Sequence, residues 1–176
     1  MPLRTRYFDL IKQVAIKHDL DPLLVEAVVV KESSGNADAF RFEPDFYNRC
    51  LKLSPGWEWA RKKYANPRRI SSSYGLMQVM FPVAVEDGYP KTDPPELMFL
   101  PEVALEYGCR RLRRLQEWSE EVGPTVDPHQ RLLASLAAYN GGKGSNLPGT
   151  QPLRNGSYAR AVLQIYTQLK VEHGGQ

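Results

Sequence analysis

Apolar residues recur at helical spacing along most of this chain, in runs that open on proline and close on glycine or a second proline. Tyr7, Leu10, Ile11, Val14 and Ala15 share one face over residues 5–18. Asp21 can cap free amides and Pro22 suits the first helical position, which predicts a helix over 21–32. Pro82 opens a short helix to Asp87, stopped by Gly88 and Pro90, and Pro94-Pro95-Glu96 start another turn. The longest helix is expected over 101–122, with Val103, Ala104, Tyr107, Leu112 and Leu115 toward the core and Gly123-Pro124 as its stop. Asp127-Pro128 repeats the cap-and-proline signal ahead of Leu132, Leu133, Leu136 and Ala137, giving a helix to Tyr139. The last helix is expected over 157–171. No alternating stretch is long enough for a large sheet, so the fold class is mostly α, with at most a small β element.

The period fails between residues 36 and 73. Prolines stand at 44, 55 and 67 among Phe40, Phe42, Phe46, Tyr47, Trp57, Trp59 and Tyr64. An irregular insertion at about 37–72 is expected, with one short helix over 57–64; stretches of this length inside a compact domain are usually functional loops or subdomains. At 176 residues the chain fits a single domain, 1–176.

The net charge of +3 is mild. Basic residues cluster at Arg110, Arg111, Arg113 and Arg114, and again at Arg61, Lys62, Lys63, Arg68 and Arg69. Such clusters fit attraction to a polyanion or a solvated helix face, and the second reading is the more frequent. No nucleic-acid motif accompanies them, so no nucleic-acid partner is expected. No apolar run approaches membrane-spanning length, and Met1 to Arg6 lead into an amphipathic stretch rather than a signal-peptide core. Cys50 and Cys109 permit one disulfide without needing it. His18, His129 and His173 lack metal-ligand spacing and are expected at the surface, with no metal or cofactor implied. The chain is expected to be a monomer.

Chemistry concentrates where the second helix ends. Lys31-Glu32 runs into the breaker cluster Ser33-Ser34-Gly35-Asn36, which puts Glu32 in the last turn, near the negative end of the helix dipole. That position disfavours the ionised carboxylate. An acid kept protonated near neutrality is what glycosidic cleavage requires. A solvated glutamate at a helix end is the competing reading.

Four segments, in order, resemble the lysozyme-like domain of the soluble lytic transglycosylases, a family related to goose-type lysozymes. They are Glu32-Ser33, Gly75-Leu76-Met77-Gln78-Val79-Met80, Ala137-Ala138-Tyr139-Asn140-Gly141-Gly142, and Ser157-Tyr158-Ala159-Arg160. Residues 102–112 resemble the domain's scaffold helix, and the likeness extends over roughly 20–170. It implies a two-lobed domain with a cleft, Glu32 as the acid, and a glycan strand bound by Ser33, Gly75, Met77, Gln78, Met80, Tyr139, Asn140 and Tyr158. The residue types suit that task. Tyrosines offer ring faces and a phenolic hydrogen bond, Gln78 and Asn140 can pair with amides and hydroxyls, and Gly75 permits close backbone approach. Met77, Met80 and Tyr158 fit a core as well as a cleft. Two departures from the family stand out: the 43 positions from Glu32 to Gly75, and Phe81 ahead of Pro82. The family serine preceding the glycine segment has only Ser72 or Ser73 as a counterpart.

The resemblance implies cleavage of peptidoglycan between N-acetylmuramic acid and N-acetylglucosamine with 1,6-anhydromuramic acid formation, at the bacterial cell wall, in the periplasm or outside the cell. Two other readings stay open. A hydrolytic muramidase would use a second carboxylate to activate water, about 6.5–9.5 Å from the acid in an inverting enzyme, with Glu43 the foremost candidate beside Asp45 and Glu86. A non-catalytic wall-binding or virion module would keep only the fold.

Overall fold

The computed structural model describes residues 4–174; Met1, Pro2 and Leu3 of the expected amphipathic lead lie outside the described residues. The chain forms two compact units, one from 1–31 and 109–176, the other from 32–108. It leaves the first unit within one helix and returns to it within another.

In the first unit, α1 (Phe8–Lys17) buries Ile11 and Ala15, the face expected from sequence. α2 (Pro22–Ser33) follows an Asp21 whose Oδ1 accepts from the Leu23 amide at 2.8 Å, as a cap should. In the second unit, β1 (Phe40–Phe42) and α3 (Pro44–Phe46) lead into a wide turn over Tyr47–Leu51 and a 3-10 turn over Pro55–Trp57. α4 (Glu58–Tyr64) and α5 (Pro67–Ile70) then precede β2 (Ser72–Tyr74) and β3 (Val79–Met80). The sheet runs β1-β2-β3, antiparallel throughout, with Phe40 opposite Tyr74 and Ser73 opposite Met80. α6 (Phe81–Glu86) and a 3-10 turn over Pro95–Phe99 lead to α7 (Pro101–Val122), whose later part belongs to the first unit. α8 (Pro128–Gly141) is capped by Asp127, which accepts from the His129 and Gln130 amides, and packs on α9 (Gly156–Gly174). Leu112, Leu115, Leu136, Ala137, Val162 and Leu169 are fully buried in the first unit; Leu51, Ile70, Leu76, Met77, Phe81 and Met98 are buried in the second.

The mostly α fold with a small β element is as expected, and three particulars are corrected. Residues 37–72 are not irregular: they hold a strand and three short helices. The basic cluster at 61–69 is not simply a free polyanion site or a solvated run: Lys62, Lys63 and Arg68 are exposed, but several of its members also bond the chain itself. Arg61 donates to the Leu51 and Ser54 carbonyls, and Lys63 Nζ donates to the carbonyls of Lys91 and Thr92, each at 2.8 Å. Arg69 forms a two-pronged pair with Glu96 at 2.6 and 2.7 Å, which holds the Glu96 carboxyl below its ordinary range. His173 is not a surface histidine: it stacks on Phe8 with centroids 5.4 Å apart, and its Nε2 is buried without a hydrogen-bond partner among the described residues. Cys50, exposed, and Cys109, buried, are not joined in a disulfide. Among the described residues no helix is long and apolar enough to cross a membrane, and no His/Cys/Asp/Glu group could hold a metal ion.

Candidate functional site

Glu32 is half-buried in the last turn of α2. The helix stops there for a backbone reason: Ser34 and Gly35 both take left-handed φ values, 53° and 76°, and the Asn36 amide returns to the Ser33 carbonyl at 3.0 Å. Asn36 Oδ1 then accepts from the Asp38 amide at 3.0 Å, turning the chain toward β1. Ser33, expected to meet substrate, has a structural partner as well. Its Oγ donates to the Leu76 carbonyl at 2.8 Å, so the residue beside Glu32 is tied to the segment between β2 and β3.

That segment, Gly75-Leu76-Met77-Gln78, is a hairpin turn, and its chemistry differs from the expected lining. Gly75 has φ +67°, and a Cβ there would lie 2.2 Å from the Met98 carbonyl oxygen and 3.0 Å from the Ala104 Cβ. The protein's own backbone and the Ala104 side chain thus come close enough here to demand glycine. Met77 is fully buried against Gly108, where an added Cβ would meet its sulfur at 2.2 Å. It takes the core place, one of the two that the sequence left open; a turn tip this apolar is held by burial. Met80, at the end of β3, stays half-buried. Gln78 is half-buried with φ +48°, and its Nε2 donates to the Ala39 carbonyl at 2.9 Å and the Gly75 carbonyl at 3.0 Å. Both amide protons are thereby committed, which leaves Oε1 as the atom able to receive a donor.

Glu43 stands just before α3. Its Oε1 accepts from Arg41 Nε at 2.5 Å, its amide donates to the Ser71 carbonyl at 2.9 Å, and its carbonyl accepts from Ser71 Oγ at 2.9 Å. Of the other serines, Ser72 donates to the Arg68 carbonyl at 2.5 Å and Ser73 is buried within β2. Phe81 is fully buried, and Trp57, Trp59 and Tyr64 of the insertion meet it with ring centroids 6.3, 6.3 and 5.8 Å away. Tyr89 closes the cluster from the other side of the sequence at 5.8 Å. Phe81 thus anchors the 57–64 stretch.

In the first unit, Tyr139 is half-buried near the end of α8, Asn140 follows it exposed, and Tyr158 is half-buried in the first turn of α9. Asn140 Oδ1 accepts from Asn155 Nδ2 at 2.9 Å, and Asn155 in turn contacts the fully buried Asn146. Neither Asn146 nor Asn155 was legible as a site residue. In a stretch with glycines at 141, 142, 144 and 149 and prolines at 148 and 152, asparagine reads as turn chemistry.

The comparisons with known proteins bear on the whole of this arrangement. In structure the chain is similar to the 70 kDa soluble lytic transglycosylase SLT70 from Escherichia coli, with a TM-score of 0.63 and 18% identity over 98% of this chain and 25% of that one. It is equally similar to an inactive mutant of the lytic transglycosylase Slt from Pseudomonas aeruginosa: TM-score 0.63, 18% identity, 96% of this chain and 24% of that one. The chain thus spans about a quarter of the length of these proteins, and at this identity the likeness speaks for a shared lysozyme-like fold. No curated protein matches it in sequence. The family model of the transglycosylase SLT domain matches residues 9–151, most of the chain, and the protein belongs to that family.

Proposed function

We propose that this protein is a peptidoglycan lytic transglycosylase with Glu32 as its single acid and base. The observation that carries the reading is the family match over 9–151, which takes in Glu32, the Gly75–Met80 hairpin and the Tyr139-Asn140 pair; Tyr158 lies beyond the matched span. Glu32 protonates the oxygen joining N-acetylmuramic acid to N-acetylglucosamine as the C1–O bond breaks. The muramic acid's 2-acetamido oxygen bonds to C1 and holds the developing charge. The Glu32 carboxylate then takes the proton of that sugar's 6-hydroxyl, whose oxygen attacks C1 and displaces the acetamido oxygen. A 1,6-anhydro ring results, no water is consumed, and Glu32 ends as it began.

The environment of Glu43 favours this over hydrolysis. Its Oε1 already accepts from the Arg41 guanidinium at 2.5 Å, so that oxygen is engaged within the protein rather than held open for a water. Ser33 and the Gln78 Oε1 fit roles in orienting the acid and meeting substrate donors, while Tyr139 and Tyr158 offer ring faces to the sugars. The place of work is the bacterial wall and the partner a glycan strand.

Mass analysis of muropeptides released from purified peptidoglycan tests the proposal. Anhydro ends are expected from the native protein and none from the folded Glu32→Gln variant. Reducing ends, heavier by one water, would mean a hydrolase. Release undiminished in Glu32→Gln would remove Glu32 from the chemistry.

A further inference from the structure

Asparagine side chains look alike at both amide ends, so which end faces a ligand must be deduced from partners that can only donate or only accept. Such partners exist in the loop between α8 and α9. The Asn155 backbone amide, which can only donate, reaches Asn146 Oδ1 at 3.0 Å. The Gly142 carbonyl, which can only accept, receives Asn146 Nδ2 at 2.9 Å. The buried Asn146 is therefore oriented from both ends. Its Nδ2 also reaches Asn155 Oδ1 at 3.2 Å, which turns Asn155 Nδ2 toward Asn140 Oδ1 at 2.9 Å. The direction of every amide follows from the backbone.

An independent feature secures the same path. Gly141 closes α8, and a Cβ on it would lie 2.0 Å from Asn155 Oδ1 and 2.4 Å from its Cγ. Only glycine at 141 leaves room for the Asn155 amide.

We propose that Asn146 and Asn155 are positioning residues that lock the Asn140 amide with Oδ1 turned toward Asn155, so that Asn140 offers its Nδ2 as a hydrogen-bond donor to an acceptor oxygen of the glycan, such as an acetamido carbonyl. The inference rests on the reading of Asn140 as a glycan-binding residue. It makes that residue selective: a donor site rejects a substrate group that presents only a donor.

Asn155→Asp tests it. The aspartate keeps the acceptor that meets Asn146 Nδ2 and keeps the backbone amide, so the loop retains its anchors and loses only the donor to Asn140. The Asn140 amide then turns its Nδ2 inward and presents Oδ1 to the substrate. KM for purified peptidoglycan should rise roughly tenfold with kcat little changed, the mark of lost uniform binding. In an Asn140→Ala background the same Asn155→Asp change should add less than about twofold, because the residue it acts through is gone. An unchanged KM, or a penalty that multiplies fully in the Asn140→Ala background, overturns the inference.

Amide orientation can also be read without turnover. In the 15N-labelled native protein the Nδ2 protons of Asn146 and Asn155 should exchange slowly and those of Asn140 fast. The reverse order for Asn140 and Asn155 overturns the relay even where the Asp variant fails to fold. A native protein that shows the slow–slow–fast order but releases no muropeptides would count against the proposed function and leave the relay standing.

Discussion

Ser33 Oγ donates to the Leu76 carbonyl at 2.8 Å, joining the last turn of α2 to the tip of the β2–β3 hairpin. The bond spans 43 positions in sequence, and its donor is the immediate neighbour of the proposed acid. Removing it frees the helix end to move while leaving the Glu32 carboxyl chemically intact. Ser33→Ala should cost about 1 kcal/mol of stability, the usual net worth of such a bond. If Glu32 is the acid, kcat should drop several-fold with KM nearly constant, because orientation matters most as the proton moves. Steady-state kinetics on purified peptidoglycan check it; a loss confined to KM would reassign Ser33 to substrate binding.

Phe81 holds the 57–64 stretch through rings, whereas Phe40–Phe42 is held by backbone pairing with β2. Phe81→Ala removes the hub that Trp57, Trp59, Tyr64 and Tyr89 share and should cost about 3–5 kcal/mol, whereas Phe81→Leu should cost about half of that. Tryptophan fluorescence during denaturant unfolding reads the change directly, since Trp57 and Trp59 sit in the cluster. A Phe81→Ala protein as stable as the native one would mean that the ring cluster contributes nothing to holding this segment.

Helices were legible where punctuation was strong. Pro101 and the Gly123-Pro124 stop bracket α7 as expected, and Asp127-Pro128 opens α8 with the cap in place. The strands were not legible, because Phe40-Arg41-Phe42 is three residues long and its partner Ser72-Ser73-Tyr74 is mostly polar, too little for a period of two to register. The packing of the Gly75–Gln78 turn was not legible either. A buried apolar tip at Leu76 and Met77 runs against the rule that turns are polar, and only tertiary packing on Gly108 accounts for it. Arg61, Lys63 and Arg69 were read as a charge run because their partners, carbonyls and Glu96, lie 7 to 29 positions away. Asn146 and Asn155 escaped for the same reason: a relay of amides has no spacing signature.

Gln78 supplies two protons to two carbonyls, those of Ala39 and Gly75. Gln78→Glu keeps the shape and replaces a double donor by a carboxylate facing two oxygens. Both bonds are lost and a repulsion is gained, for about 2–4 kcal/mol at neutral pH. Chemical denaturation should show the loss, and it should shrink as acid protonates the new side chain. A Gln78→Glu protein as stable as the native one at neutral pH would show that the amide does not staple the hairpin.

Glu26 is fully buried in α2, where its carboxylate accepts from the backbone amide and hydroxyl of Thr5. Burial raises its pKa above the ordinary 4.5, against the opposing pull of the Thr5 hydrogen bonds and the charges of Arg4 and His173. The folded protein therefore binds this proton more tightly than the unfolded chain does. The stability so contributed is complete below the ordinary carboxylate range and is lost as pH rises through the elevated folded value. Glu26→Gln keeps an acceptor for Thr5 and removes the titration. Its melting temperature should match or exceed the native one at neutral pH, and the gap should close as pH falls toward 4.5. Thermal unfolding at a series of pH values decides it, and two parallel curves would mean that Glu26 titrates alike in both states.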